Sequence, residues 1–206
     1  MAQPDLITRT RLKRVHRRLL DPAVRRGREA VSIEAHHVGG EPIAFDEAVA
    51  RPRVPFVVGD AWGPAWDTTW FHITGEVPAE WAGSEVVLVV HLGYGGGTGF
   101  GAEALVWQDG EPSQGISPNH DEVVVASPAL GGETFELWLE AAANPRVDAR
   151  ADPPPLHLAD PGGPPRLLLQ ACHLAIAERE VEALRHDWVA LSDLCLLYTS
   201  PSPRDS

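Results

Sequence analysis

Residues 101–116 read GAEALVWQDGEPSQGI, and this stretch decides the fold. Its first part, 102–108, is an extended and largely apolar run. Asp109 and Gly110 follow, and this dipeptide tolerates the positive φ angles of a type I′ turn. The chain then returns over 111–116. We therefore predict a β-hairpin, which needs neighbouring strands because two strands alone are only marginally stable in water.

The composition favours a β protein with one substantial core. The 206 residues include 19 Gly and 19 Pro, which suits many short strands joined by turns better than long helices. No run approaches the roughly 18 apolar residues of a membrane span, and the first residues lack the apolar segment of a signal peptide. Two cysteines, Cys172 and Cys195, do not make a disulfide framework. We therefore expect a cytoplasmic protein with no membrane partner.

Charge is distributed unevenly along the chain. Residues 1–30 carry nine Arg or Lys and three acidic residues, whereas the remainder carries eight basic and 26 acidic residues. So acidic a main body disfavours binding to a phosphate backbone, and we predict no nucleic-acid partner. Leu12, Val15 and Leu19 have helical spacing and predict a basic amphipathic helix that ends before Pro22. A solvated helix docked on an acidic domain is the ordinary interpretation, and contact with a membrane or nucleic acid is the alternative.

Alternating or strongly apolar runs supply neighbours for the hairpin. The predicted strands are 31–38, 70–77, 85–92, 122–126, 134–141 and 166–177. The run 85–92 is apolar enough to predict burial on both faces. A helical pattern follows at 178–194, and its Trp188 and Leu191 require a partner that we do not find in the chain. The glycine-rich stretch 93–101 matches neither common nucleotide-binding pattern, so we predict a plain connection there.

Three tryptophans lie close together in DAWGPAWDTTW, residues 60–70. Trp62, Trp66 and Trp70 could form an exposed platform for sugar rings, or a buried corner in which each indole N–H finds a carbonyl. We favour the buried corner.

Several separated motifs carry a resemblance to a known family. EALVWQDGEPSQGI at 103–116, WFHITGEVPAEWAG at 70–83 and LWLEAAANP at 137–145 resemble the N-terminal domain of glycoside hydrolase family 38 α-mannosidases. The chain is most similar to the cytosolic type, in matching order over roughly 8–194. The resemblance implies a mainly β fold, a jelly-roll-like antiparallel β-sandwich with an N-terminal helix, placed ahead of a catalytic domain.

The domain boundaries combine composition with this resemblance. We expect a basic N-terminal helical segment at 1–30, a β-sandwich domain at 31–145 and a Pro/Gly-rich linker at 146–165. The strand and helix of 166–194 are then the start of the catalytic domain. We expect 195–206, CLLYTSPSPRDS, to be a non-native tail of a truncated reading frame, with an authentic C-terminus as the alternative.

The resemblance also implies where the chemistry lies. Family members are retaining enzymes that use an Asp nucleophile and a zinc or similar divalent ion, held by His and Asp in an HxHxD-like motif. That motif is absent, and the adjacent pair His36 and His37, like His157 and His173, lacks a carboxylate at ligand spacing. We therefore predict no catalytic residue, no metal ligand and no cofactor in this chain, and expect zinc in the catalytic domain.

Glu103, His120 and Asn144 are the candidate binding residues. These polar groups flank predicted strands in or beside the family-like segments, where they could contact sugar hydroxyls. Hydrogen bonds within turns and at strand ends are the alternative role.

Three functions remain open. The resemblance implies a non-catalytic region that braces the catalytic barrel of an α-mannosidase acting on α-mannoside glycans. Its own catalytic domain is then the main partner, with a homo-oligomer as a further assembly, and the chain alone is inactive. A free-standing carbohydrate-binding module would rest on the three tryptophans, and a structural or partner-docking domain on the basic helix.

Overall fold

The computed structural model describes residues 3–93, 102–144 and 167–199, without the side chains of 3–6 and 195–199. The predicted linker 146–165, His157 and most of the glycine-rich stretch lie outside the described residues. The chain divides into two compact units, one made of Arg28–Leu174 and the other of Met1–Gly27 together with Ala175–Ser206.

Three helices and twelve strands are described. In chain order they are α1 (Gln3–Val15), β1 (Arg25–Ala30), β2 (Ser32–Val38), α2 (Phe45–Ala50), β3 (Val54–Pro55), β4 (Ala61–Trp62), β5 (Thr68–Glu76), β6 (Val86–His91), β7 (Ala102–Gln108), β8 (Glu111–Ile116), β9 (Glu122–Ala126), β10 (Thr134–Ala143), β11 (Leu167–Leu168), β12 (Ala171–Ala177) and α3 (Arg179–Thr199). The strands form a six-stranded sheet, β3-β2-β5-β10-β7-β8, a four-stranded sheet, β1-β12-β6-β9, and the pair β11-β4.

The central hairpin forms as predicted. Strands β7 and β8 pair antiparallel, and their turn places Asp109 at φ 53° and Gly110 at φ 82°, as a type I′ turn requires. On its other side β7 pairs with β10, which in turn pairs with β5. The hairpin thus has the neighbours that its stability needs, and the mainly β, antiparallel prediction is confirmed.

The main core fills the space between the two larger sheets. The six-stranded sheet contributes Ile33, Phe71, Ile73, Val106, Leu137 and Leu139, and the four-stranded sheet contributes Val86, Leu88, Val90, Val123, Cys172 and Leu174. All residues of β6 from Val86 to Val90 are buried, which confirms the predicted burial on both faces. Burial of this apolar surface is the principal stabilising contribution to the sandwich.

Two boundaries differ from the sequence-based expectation. Arg25–Ala30 is an exposed strand, so the N-terminal segment is helical only as far as Ala23 and the predicted first strand is the second. Strands β11 and β12 belong to the sheets of the sandwich, although we had assigned 166–194 as a whole to the start of a catalytic domain. Leu167 of β11, Leu174 of β12 and Leu169 between the two strands are buried in the main core. A pattern of local hydrophobicity cannot show which sheet a strand joins after a long connection.

The second unit pairs the two terminal helices. A π-helical turn, His16–Leu20, continues α1, and a 3₁₀ turn follows it. The Trp188 indole N–H of α3 donates to the Leu12 carbonyl of α1 at 3.4 Å. The prediction that Trp188 has no partner within the chain is therefore wrong, although Leu191 remains exposed. Within the described residues, no helix is both long and apolar enough to cross a membrane.

Candidate functional site

The three candidate binding residues lie at one end of the six-stranded sheet. Glu103 is exposed on β7 opposite Ala142, and Asn144 directly follows β10. His120 is exposed in the turn after β8, where its backbone N–H donates to the Ser117 carbonyl at 3.0 Å. The antiparallel register brings the start of β7 to the same end as the finishes of β8 and β10. Their role in binding stays a prediction.

The three clustered tryptophans have different environments. Trp62 and Trp70 are buried, and the Trp62 indole N–H donates to the Leu92 carbonyl at 3.0 Å. Trp66 is 46% exposed. Burial is confirmed for Trp62 and Trp70, but only the Trp62 indole finds a carbonyl, because Trp70 Nε1 has no hydrogen-bond partner among the described residues. The interpretation is wrong for Trp66, so a three-tryptophan platform does not exist.

An aromatic cluster covers the outer face of the six-stranded sheet, the face opposite the main core. We define it as Phe45, Trp70, Trp107 and Trp138. Phe45 of α2 stacks on Trp107 with ring centroids 4.9 Å apart, and it meets Trp70 and Trp138 edge-on at 6.0 Å each. Such pairs add about 0.5–1.5 kcal/mol beyond the area they bury. Helix α2 therefore packs on the sheet through Phe45 and the fully buried Ala48.

Polar groups form a rim around the aromatic cluster, centred on His72 of β5. Its Nδ1 lies 3.2 Å from Glu34 Oε2 and its Nε2 lies 2.9 Å from Glu136 Oε1. Both contacts are hydrogen bonds only when each ring nitrogen carries a proton, because an ionised carboxylate solely accepts. The His72 ring also lies 4.4 Å from the ring of Trp138. This histidine therefore joins β2 and β10 across β5.

Arg53 and the indole groups complete the rim. The Arg53 guanidinium lies 4.8 Å above the Trp138 ring and its Nε donates to Glu34 Oε2 at 3.3 Å. The hydrogen bond from His72, and then that from Arg53, hold the pKa of the Glu34 carboxyl below its usual value. The indole N–H of Trp138 donates to Glu136 at 3.2 Å.

This arrangement favours a structural role over acid–base catalysis. Glu34 and Glu136 are two carboxylates near one another, the residue types that a glycosidase needs. Both are engaged by His72 and by a second donor, which is Arg53 for Glu34 and the Trp138 indole for Glu136. The rim crosslinks neighbouring strands.

The remaining candidate groups show no reactive arrangement. Burial raises the pKa of the Cys172 thiol to about 12, so at neutral pH it is a packed, unreactive group. His36 Nδ1 lies 3.0 Å from the Pro52 carbonyl and His37 Nε2 lies 3.1 Å from Asp67 Oδ2. No group of three or more His, Cys, Asp or Glu in the described part of the chain could hold a metal ion. These residues therefore do not fit the zinc that the family implies.

Comparison with known proteins identifies the family. The family model described as the α-mannosidase jelly roll domain matches residues 28–175, which nearly coincide with the unit Arg28–Leu174. The chain belongs to the α-mannosidase jelly-roll family. The human protein named Alpha-mannosidase 2C1 is 31% identical to this family member over 161 residues, and its mouse counterpart is 31% identical over 151 residues. Alpha-mannosidase G of Dictyostelium discoideum is 25% identical over 109 residues.

The alignments cover much of this jelly-roll chain but little of each relative. They include 76% of the chain for the human protein, 71% for the mouse protein and 50% for the Dictyostelium protein. The corresponding shares of the relatives are 14%, 14% and 9%. The family and the fold are therefore shown for this chain, and the chain spans about one seventh of the length of the first two relatives.

Sequence reasoning missed the aromatic cluster and its rim. One signal was present, because Glu136, Trp138 and Glu140 alternate with Leu137 and Leu139 along β10. A tryptophan on the face opposite the leucines indicates that something covers that face. The covering residue, Phe45, lies about 90 positions earlier in the chain.

Proposed function

We propose that this chain forms the N-terminal, non-catalytic β-sandwich region of a family 38 α-mannosidase, where it braces the catalytic barrel. The match of residues 28–175 to the α-mannosidase jelly roll domain carries the proposal. In this proposal the intact enzyme is cytoplasmic and hydrolyses α-mannosides with retention of configuration. Zinc or a similar divalent ion belongs to the catalytic domain, and homo-oligomers are a further assembly.

Exposed apolar side chains beside the β4–β11 pair support the bracing role. Val57 is 60% exposed, Val58 is 42% exposed and Leu168 is 46% exposed. The backbone that presents them is fixed, because the Gly59 N–H donates to the Leu169 carbonyl at 2.8 Å. Adjacent exposed apolar groups on a rigid edge are typical of a contact with another domain.

The first test is to read the source DNA downstream of the codon for Leu194 and to express the extended frame. We expect it to encode an HxHxD-type motif and an Asp nucleophile, and its product to release para-nitrophenol from para-nitrophenyl α-mannoside. A genuine stop after Ser206, or an extended product without this activity, would contradict the enzyme assignment.

A matched pair of variants tests the bracing itself. Leu168→Asp should lower the Tm of the extended protein and leave that of the 206-residue chain nearly unchanged, because the contact exists only in the longer protein. Leu130→Asp is the control, since Leu130 is 82% exposed in a turn away from this edge. Equal effects of Leu168→Asp on both proteins would argue against a brace at this surface.

A carbohydrate-binding role is the second candidate, and one observation favours it. Trp66 presents an exposed indole next to polar groups, although the other two tryptophans of its cluster are buried. The basic helix gives less support for a free-standing docking domain, because its Leu12 already accepts a hydrogen bond from Trp188.

A further inference from the structure

The strand-end corner is a group of four residues, His37, Gly39, Trp66 and Asp67, at the end of the six-stranded sheet where β2 finishes and β5 begins. Val38 pairs with Thr68 at this end. None of the four residues takes part in the aromatic cluster or its rim. Together they combine an aromatic surface with a partly buried pair of an imidazole and a carboxyl group.

Trp66 supplies the aromatic surface, and its backbone is held in an unusual conformation. Its φ is 75°, in the left-handed region that a bulky residue seldom adopts. Its N–H donates to the Ala143 carbonyl at 2.9 Å, and the Ala143 N–H donates to the Asp67 carbonyl at 3.0 Å. Strain of this kind persists where surrounding structure enforces it and is concentrated at functional sites. Here it leaves the indole almost half exposed.

Asp67 and His37 supply the polar groups. The Asp67 residue is 7% exposed, and its Oδ2 lies 3.1 Å from His37 Nε2, whereas the His37 side chain is about half exposed. Asp67 is thus a largely desolvated carboxylate whose partner reaches the surface. Such an orienting pair can exchange hydrogen bonds with a hydroxyl-rich ligand more strongly than a solvated pair can.

One further feature leaves the Asp67–His37 pair open to a ligand. A Cβ added at Gly39 would lie 3.9 Å from both Asp67 Oδ2 and His37 Nε2, so the absent side chain leaves the pair uncovered on that side.

We propose that the strand-end corner binds a pyranose sugar. The C–H face of the ring stacks on the Trp66 indole, and ring hydroxyls exchange hydrogen bonds with Asp67 and His37. A pyranose has an apolar face and polar edges, which match an aromatic ring and a neighbouring pair of hydrogen-bonding groups. Trp62 and Trp70 take no part, because both are buried. The choice of a mannoside as the probe rests on the proposed function, whereas the corner itself does not.

The test is a titration of the 206-residue chain with methyl α-mannoside, in which ¹H–¹⁵N correlation spectra monitor the indole N–H groups at each sugar concentration. We expect the Trp66 signal to shift saturably with a Kd on the order of 1 mM. Trp66→Ala should weaken binding at least tenfold, as judged from backbone amides at Gly39 and Asp67. No saturable shift up to about 100 mM, roughly a hundred times that Kd, would overturn the proposal.

Gly39→Val keeps the test decisive if Trp66→Ala disturbs the fold. This substitution removes no functional group, and the backbone at position 39 does not require glycine. It nevertheless places methyl groups over the Asp67–His37 pair. We expect at least a tenfold weaker Kd with unchanged near-ultraviolet circular dichroism, and an unchanged Kd in Leu130→Ala. Unweakened binding in Gly39→Val would place the sugar elsewhere and overturn the proposal. A titration without a shift would not contradict the proposed bracing role, because that role is tested by the Tm and activity of the extended protein.

Discussion

The two faces of the six-stranded sheet are built from the same strands but held by different interactions. On the inner face Phe71, Leu137 and Leu139 lie in the main apolar core. On the outer face Trp70 and Trp138 pack under helix α2, and Trp138 also contacts the charged side chains of Glu136 and Arg53. Because alternation sends neighbouring residues to opposite faces, each strand serves both kinds of packing. The inner face should therefore set stability, and the outer face should make stability depend on a few specific contacts and on acid.

The largest expected effect is on the inner face. Phe71 is almost fully buried, and its ring meets Trp62 at 5.6 Å and Phe56 at 5.3 Å. Phe71→Ala should lower the free energy of unfolding by about 3–5 kcal/mol, from lost burial and the cavity that remains. Urea denaturation followed by circular dichroism measures this loss. Leu130→Ala, on an exposed side chain, should change it by less than about 0.5 kcal/mol.

Substitutions on the outer face should lower the free energy of unfolding less than those on the inner face, and Phe45 should have the largest effect there. Phe45→Ala removes the ring that stacks on Trp107 and meets two other tryptophans. Because Phe45 is only partly buried, we expect a loss of about 2 kcal/mol, below the range for a fully buried phenylalanine. The near-ultraviolet circular dichroism of the tryptophans should change at the same time. A loss as large as that in Phe71→Ala would show that the two faces contribute equally.

The two faces also differ in how well the sequence predicts them. The hairpin was predictable because Asp109 and Gly110 specify their turn locally, and the inner face because Leu137 and Leu139 alternate with polar neighbours. The packing of Phe45 over the outer face was not predictable, because Phe45 and Trp107 are 62 positions apart in the sequence. Patterns report which residues are buried and not which distant residue buries them.

The candidate site was predictable to a lesser degree. Polar residues at strand ends directed attention to the end of the sheet where Glu103, Asn144 and His120 lie, and their role in binding stays a prediction. Trp66 was grouped with its buried neighbours, because the sequence contains no sign of its positive φ. Pairing between His37 and Asp67 depends on two strands meeting in register, which a single sequence does not specify.

Alkaline pH should destabilise the inner face through Cys172. Burial raises the pKa of this thiol from 9.0 to about 12, so above pH 9 the unfolded state loses a proton that the folded state retains. The contribution of this thiol to the free energy of unfolding is therefore fully present below its unfolded pKa, and it is lost as the pH rises towards the folded pKa. At about pH 10 the expected loss is on the order of 1.4 kcal/mol, and it should vanish in Cys172→Ala.

Chemical reactivity checks the same prediction independently. In a Cys195→Ser background, the Cys172 thiol should react with Ellman's reagent only as fast as the protein unfolds. Rapid reaction under native conditions at pH 8 would show that the thiol is accessible and its pKa not raised by burial.

Acid should act on the outer face, and this is the smallest of the expected effects. The pKa of Glu34 is lowered in the folded state by the hydrogen bonds from His72 and Arg53. A lowered folded pKa gives stability that is present above the unfolded value and is lost as the pH falls through the folded value. Between about pH 5 and pH 3 the Tm should therefore decline partly through this carboxylate, and only slightly, because Glu34 is exposed to solvent.

Glu34→Gln separates this contribution from general acid denaturation. The amide keeps the shape of the side chain but cannot titrate, so the decline in Tm between about pH 5 and pH 3 should be shallower than in the wild type. Glu111→Gln, in the exposed strand β8, should leave the decline unchanged. If Glu34→Gln and the wild type decline in parallel, the His72 rim does not contribute to acid sensitivity. The outer face would then differ from the inner face in its covering helix and not in its response to acid.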